Sequence, residues 1–324
     1  MLLRASNGAL VAGADTIYGE SVFAVTGDGQ GGWFIGGEFW RVGTQPRTNL
    51  AHLDRSGRLV QSWRPVVDGT IASLARTGLT LYLAGTFRHV DGVARDGVAA
   101  VDTVTGRTTT WLPAVGNVDQ IVATASAVYL ASGQSVTPVD PRTGATTGAV
   151  LGGGAPFAVT PLRTYLSTGA RYYGVLNAVE TSSGEPDEWA SGARGSFSSV
   201  TAAGGRVFAT GRFQIATRRR IGLASWTSGT ARLLWIANSD GYVNSAAADG
   251  NRVYLGGLFQ FLGNQKRPRL GAVDLHTGRA LAWNPQWNAG LQWTPVTVAA
   301  AGDRVFVGAA VTAAGNSPAC ARKP

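Results

Sequence analysis

Apolar positions along this chain come in short runs bounded by glycine, asparagine and aspartate. Gly31–Phe39 reads "GGWFIGGEF", Leu81–Phe87 reads "LYLAGTF" and Val253–Phe259 reads "VYLGGLF". Runs of four to seven residues rich in β-branched and aromatic side chains, closed by turn residues, predict strands. No segment of ten residues carries the 3.6 period of a helix. Comparable strands begin at Trp33, Leu81, Val128, Thr164, Val207, Val253 and Val305.

A second pattern lies over the first. "LDRSGRLVQSW", "VDTVTGRTTTW", "VETSSGEPDEW", "SWTSGTARLLW" and "VDLHTGRALAW" each place Trp nine residues after a fixed position, held by Asp54, Asp102, Glu180, Trp226 and Asp274. A sixth copy, "VDPRTGATTGA", keeps Asp140 and Gly144 and loses the Trp. Phe39, Phe87 and Phe259 lie fifteen residues before their acid, and Phe213 lies thirteen before Trp226. Arg47, Arg95, Arg219 and Arg267 each lie seven residues before that fixed position.

Repeats of about 40–50 residues, each resolving into four short strands, predict a β-propeller. In the second repeat the strands are expected near Thr70–Arg76, Leu81–Phe87, Gly97–Asp102 and Arg107–Trp111. The reading is all-β: one domain over 1–324, a seven-bladed β-propeller of four-stranded blades. The last blade lacks its outer half, and "LLRASNGALVAG" at the N-terminus matches the missing half. The two ends are therefore expected to share a blade, which removes the free sheet edges. In each blade the acid accepts from turn N–H groups and the glycine takes the positive φ. The Trp is expected on the outermost strand, packed against the next blade.

The stretch "GGWFIGGEFWRVGTQPRTNLAHLDRSG" resembles the delta-60 bacterial β-propeller repeat: a Gly-Gly-x-Phe strand, a Gly-x-x-Arg loop, then Leu-Ala-x-Leu-Asp and a glycine turn. The resemblance covers most of the chain, is strongest over 31–112 and 252–286, and is weakest over 126–190. It implies a bacterial protein that is secreted or displayed on the cell surface. The Asp-x-x-Thr-Gly-x-x-x-x-Trp element is also similar to quinoprotein-dehydrogenase repeats. Only their blade is carried over, because the adjacent cysteine pair and the acidic calcium cluster are missing.

Composition narrows the chemistry. Cys320 is the only cysteine, and His52, His89 and His276 are widely spaced, so no Cys-rich or paired-His metal centre is expected, and no cofactor. No run of 18 apolar residues occurs, so no membrane-spanning helix is expected. "MLLRASNGALVAGAD" lacks the sustained apolar core of a signal peptide. Either the chain lacks its natural leader or the protein is cytoplasmic. No nucleophile elbow, Walker loop or dinucleotide fingerprint is present. His89 has no partner identifiable from sequence.

The net charge is +9, and only Lys266 and Lys323 are lysines, so the basic charge is almost all arginine. Arginine forks bind carboxylates and phosphates in bidentate fashion. A ring places Arg47, Arg95, Arg219 and Arg267 on the face of the long loops, with Trp40 and Trp287 nearby. These six residues are the candidate binding site, for an acidic polysaccharide or protein. The competing reading has each arginine bonded to loop carbonyls of its own blade. The expected function is a non-catalytic, monomeric binding scaffold. The alternative is a propeller hydrolase, lyase or quinoprotein-like oxidoreductase with its site in the central channel. Nucleic acid is the less favoured partner.

Overall fold

The computed structural model describes residues 1–168, 174–285 and 293–311, with backbone only for 293–296, 310 and 311. Every regular element among them is a strand. One unit serves as the pattern. Ile71–Thr77 pairs with Thr80–Gly85, which pairs with Val98–Asp102, all antiparallel. The expected fourth strand over Arg107–Trp111 is reduced to one bridge, Val101 to Thr108. Thr109 donates its N–H to Ala100, and the chain then turns so that Trp111 reaches the next unit.

The same meander recurs. Ile17–Gly27, Trp33–Val42 and Leu50–Leu53 end on the bridge Leu53 to Leu59. Gln120–Ala123, Val128–Ser132 and Ser135–Val139 end on Val139 to Thr146. Tyr242–Asp249, Arg252–Leu258 and Leu270–Asp274 end on Val273 to Ala280.

Between the last two lies a different arrangement. Gly154–Val159, Arg163–Thr168, Gly174–Glu180, Pro186–Ala203, Arg206–Ile215, Arg218–Thr227 and Leu233–Asn238 form one continuous antiparallel sheet. The 18-residue strand Pro186–Ala203 joins two units: its first half edges Gly174–Glu180 and its second half pairs with Arg206–Ile215.

The ends of the described chain meet. Trp293–Ala301 pairs with Arg304–Val311, and that strand pairs with Leu2–Arg4 through Leu2–Phe306 and Leu3–Val305. Leu3 then bridges to Leu10. The first strand of each unit touches the first strand of the next: Ile17–Gly27 against Ile71–Thr77, then Gln120–Ala123, Gly154–Val159, Pro186–Ala203, Tyr242–Asp249 and Trp293–Ala301, which returns to Ile17–Gly27. Hydrogen bonds link some of these neighbours. Ile121 N–H donates to Ser73 Oγ, Phe157 N–H to Gln120 Oε1 and Val298 N–H to Ser245 Oγ, each at 3.1 Å.

The core lies between units rather than inside one. Phe34, Leu50 and Trp63 cluster with Ile71, Leu83 and Phe87 of the following unit. Leu2 and Phe306 cluster in the same way with Trp33, Ile35 and Phe39. A thin antiparallel sheet cannot bury both faces alone, so each unit uses its neighbours.

Candidate binding surface

Tryptophan sets the joints. Trp63, Trp111, Trp189, Trp235 and Trp283 each pack on an aromatic ring of their own unit, Phe34, Tyr82, Tyr165, Phe208 and Tyr254, with centroids 4.9–5.8 Å apart. Each indole N–H then crosses to the following unit. The acceptors are the carbonyls of Asp102, Asp140, Thr227, Leu275 and Arg4, at 2.8–3.2 Å. A buried Trp removes about 200 Å² from water, which contributes about 5 kcal/mol before side-chain entropy is subtracted.

The repeated acids are turn devices. Asp102 Oδ1 accepts from the N–H groups of Val104 and Thr105 and from the Thr105 hydroxyl. Asp140 and Asp274 repeat these bonds with Arg142, Thr143, His276 and Thr277. The bonds favour the charged form and hold all three carboxyls below their ordinary range.

Two of the three histidines have their rings tied to acids. His89 Nδ1 lies 2.7 Å from Asp68 Oδ2, while Asp68 Oδ1 accepts from the N–H groups of Arg88 and His89. Asp240 makes the same backbone bonds to Gln260 and Phe261 in the equivalent loop. That recurrence marks Asp68 as a loop brace, and the sequence gives no hint of its pairing with His89. His52 Nε2 lies 2.9 Å from Asp28 Oδ2. Burial raises the Asp28 carboxyl, but bonds from His52, Gln30 and Gly32 outweigh it and the net shift is downward. Among the described residues no group of three or more His, Cys, Asp or Glu gathers as a metal cage.

The four repeated arginines divide into two kinds. The Arg47 guanidinium donates to the carbonyls of Pro46 and Gln61, Arg95 to Ala94 and Thr109, and Arg267 to Lys266 and Leu281. Gln61, Thr109 and Leu281 each lie two residues before the Trp of their own unit, so these arginines steady the segment that presents the indole. Burial, with the nearby charge of Arg64, lowers the Arg47 guanidinium from its ordinary value. Trp40 is half-buried and its carbonyl accepts from Arg47 N–H. Trp287 lies outside the described residues.

Arg219 stands apart. Its loop is two residues shorter, since Phe213 precedes it by six residues where Phe39, Phe87 and Phe259 precede their arginines by eight. The strands therefore stay in register to the end of the hairpin, with Gln214 opposite Arg219 and Ala216 turning at φ 52°. Arg219 faces solvent.

Register supplies companions that sequence reading missed. Arg194 lies opposite Gln214, so Arg194, Gln214 and Arg219 form one row across three strands. Arg212, two residues before Gln214, shares their face, because side chains alternate along a strand. Strands are about 4.8 Å apart, so Arg194 and Arg219 lie about 10 Å apart. The Arg212 guanidinium sits over the partly exposed Tyr242 ring, 5.0 Å from its centroid. Exposed Arg218 and half-buried Arg220 flank Arg219. Among the described residues, ion pairs join His52 to Asp28, His89 to Asp68, Arg163 to Asp187, and Arg55 and Arg304 to Asp303. None engages an arginine of this hairpin.

Solved structures share the architecture. The WD40 β-propeller domain of Doa1 aligns with a TM-score of 0.60 at 9% identity, over 92% of this chain and 94% of that one. The computationally designed Ika8 protein aligns at 0.58 and 12% identity, over 91% of this chain and 96% of that one. Hsv2 of Kluyvelomyces marxianus aligns at 0.51 and 7% identity, over 86% of each chain. The fold is of the β-propeller class. No family model matches the chain, and no curated protein matches it. At such identities the likeness concerns architecture alone. In this propeller-like frame, the continuous Arg212–Arg220 hairpin departs from the longer loops of other units, where a separate two-residue hairpin such as His89–Val90 with Val93–Ala94 stands at the same position. Among the described residues no helix is long and apolar enough to cross a membrane.

Proposed function

We propose that this chain is a seven-bladed propeller whose last blade is completed by its own first strand, and that it acts as a non-catalytic scaffold binding an acidic polysaccharide. Counting each closing bridge as a fourth strand, the successive meanders supply seven units, and the pairing of Leu2–Arg4 with Arg304–Val311 supports the closure. A secreted or cell-surface setting follows from the repeat resemblance.

The observation that carries the binding reading is the row Arg194–Gln214–Arg219 with Arg212 on the same face. Like charges gathered with no ion pair to them among the described residues raise a positive potential that attracts polyanions. Guanidinium forks match carboxylate and sulfate groups, and the part-exposed Tyr242 ring offers a sugar a stacking face. The fixed spacing of a sheet suits a polymer with regularly repeated charge.

The test is retention on immobilised heparin along a salt gradient. Arg194→Glu with Arg219→Glu is expected to elute at clearly lower salt with an unchanged melting temperature. Screening is stronger at high salt, where the Debye length falls to about 3 Å at 1 M. Unchanged elution overturns the reading. Selective loss of binding to an acidic protein column, with heparin retention kept, transfers the surface to a protein partner and overturns the polysaccharide assignment.

A further inference from the structure

Two positions of the tryptophan repeat hold small residues. The fixed position of the unit built from both chain ends is Arg4, whose carbonyl receives Trp283, and nine residues beyond it stands Gly13. In the unit around Asp140 the same place is held by Ala149. At the Ala149 joint the buried Leu151 side chain lies against the opposing turn: a Cβ on the turn glycine, Gly184, would meet Leu151 Cδ2 at 2.9 Å and Ala149 Cβ at 3.2 Å. At the Gly13 joint Ala14 and Leu2 lie against the opposing turn, where a Cβ on Gly57 would meet Ala14 Cβ at 2.7 Å and Leu2 Cδ2 at 3.1 Å, and beside them a cavity of about 850 Å³ remains among the described residues.

Its walls are the positions that enclose an indole at the other joints. Phe306 is the own-unit aromatic, equivalent to Tyr82 and Tyr254. Gly57 is the turn glycine of the following unit, equivalent to Gly278, whose added Cβ would lie 2.5 Å from the Trp235 ring. Leu2, Val11, Ile17 and Leu53 add to a lining that is mostly apolar, with Asp15 and Glu20 among its polar members. A Cβ on Gly13 would meet only Arg58 Nη2, at 3.6 Å, so the space beside it is open. The turn also keeps the matching acceptor. The Asp54 carbonyl takes one bond, from Gly57 N–H, as the Asp102 and Asp140 carbonyls do from their own glycines while also receiving an indole.

We propose that this cavity is a vacated indole slot that binds a small, neutral, planar aromatic ligand, with an N–H donor favoured. The chemistry is set by the molecule itself, since five equivalent joints hold an indole between an aromatic ring and a turn carbonyl. The volume falls in the range of small-molecule sites. The site is separate from the arginine row, and a neutral probe keeps the two distinguishable.

The test is fluorescence titration of the intact chain with N-phenylnaphthylamine, followed by displacement with indole. Saturable binding of one probe per chain, reversed by indole, is expected. Ala12→Trp, at an exposed lining position, is expected to fill the slot and weaken probe binding at least about tenfold. Leu10→Glu, which charges another exposed lining position, provides the same loss should the bulky variant misfold. Leu162→Asp, an exposed leucine outside the cavity lining, is expected to bind as the parent does. Absence of saturable binding, or parental binding in both lining variants, overturns the proposal. Binding that appears only after removal of the residues beyond Val311 also overturns it, because the slot would then serve the chain's own tail.

Discussion

The Trp111 indole nitrogen donates to the Asp140 carbonyl at 2.9 Å, and the same turn places Asp140 Oδ1 against the N–H groups of Arg142 and Thr143. One residue type closes a turn and the other locks the neighbouring unit onto it. Trp111→Phe keeps a smaller ring against Tyr82 and removes the donor, so a loss of about 1–2 kcal/mol or slightly more is expected from urea denaturation. Trp111→Ala also opens a cavity and is expected to cost about 3–5 kcal/mol. Equal losses for the two variants would place the whole effect in the hydrogen bond and contradict the packing role.

Gly278 has φ 69°, and an added Cβ would lie 2.5 Å from the Trp235 ring. Gly278→Ala therefore meets both backbone strain and a fixed indole across the joint. A loss of about 2–4 kcal/mol is expected. Gly250→Ala has a similar φ of 56° but nothing within 4 Å, and is expected to lose only the backbone part, about 1 kcal/mol. Thermal melts of the pair separate the two contributions.

Arg267→Met and Arg219→Met are expected to part company. The first leaves the carbonyls of Lys266 and Leu281 without their charged donor and should destabilise by about 2–3 kcal/mol. The second alters an exposed side chain and should stay within about 0.5 kcal/mol of the parent. Similar melting temperatures for both would mean that the inward arginines brace nothing.

Asp68 is held at about 2, chiefly by the His89 backbone N–H and then by the His89 ring and Arg88 N–H. An aspartate lowered in the folded state contributes stability that is full above its unfolded value of about 4 and is lost as pH falls toward the folded value. The parent should therefore lose melting temperature between about pH 4 and pH 2. Asp68→Asn should start lower at neutral pH and show a shallower decline over that window. An unchanged slope would separate Asp68 from the acid response.

Deletion of residues 1–12 removes one of the two strands paired along Arg304–Val311 and exposes the faces that Leu2 and Leu3 cover. Aggregation and a lower melting temperature are expected, because an uncovered apolar edge recruits other chains. A truncated chain that remains monomeric at parental stability would show that closure contributes nothing.

Much of the frame is legible in the residues. The aspartate–glycine turn is encoded locally, since the acceptor and its N–H donors lie within four residues of one another. Trp at a constant offset marks five of the joints, because its indole N–H crosses to the turn of the following unit at each of them. The site was harder to read. Arg47, Arg95, Arg219 and Arg267 share a sequence position, yet three bond to carbonyls of their own unit and one faces solvent. The two-residue shortening between Phe213 and Trp226 was the available signal. Its consequence depends on whether the hairpin can stay in register. Arg194 carried no such signal, because it reaches Arg219 only across the strand between them.

By itself the sequence determined strands rather than helices, the repeated turns, the residue that locks five of the joints and the meeting of the two ends. These follow from period, turn chemistry and spacing, which are local properties of the chain. Tertiary structure alone decided which arginines point inward, which stand in a row, and that a cavity lies beside the missing Trp at Gly13. Those outcomes depend on strand register and on how neighbouring side chains pack at a joint, and both are set by contacts between segments far apart in the chain.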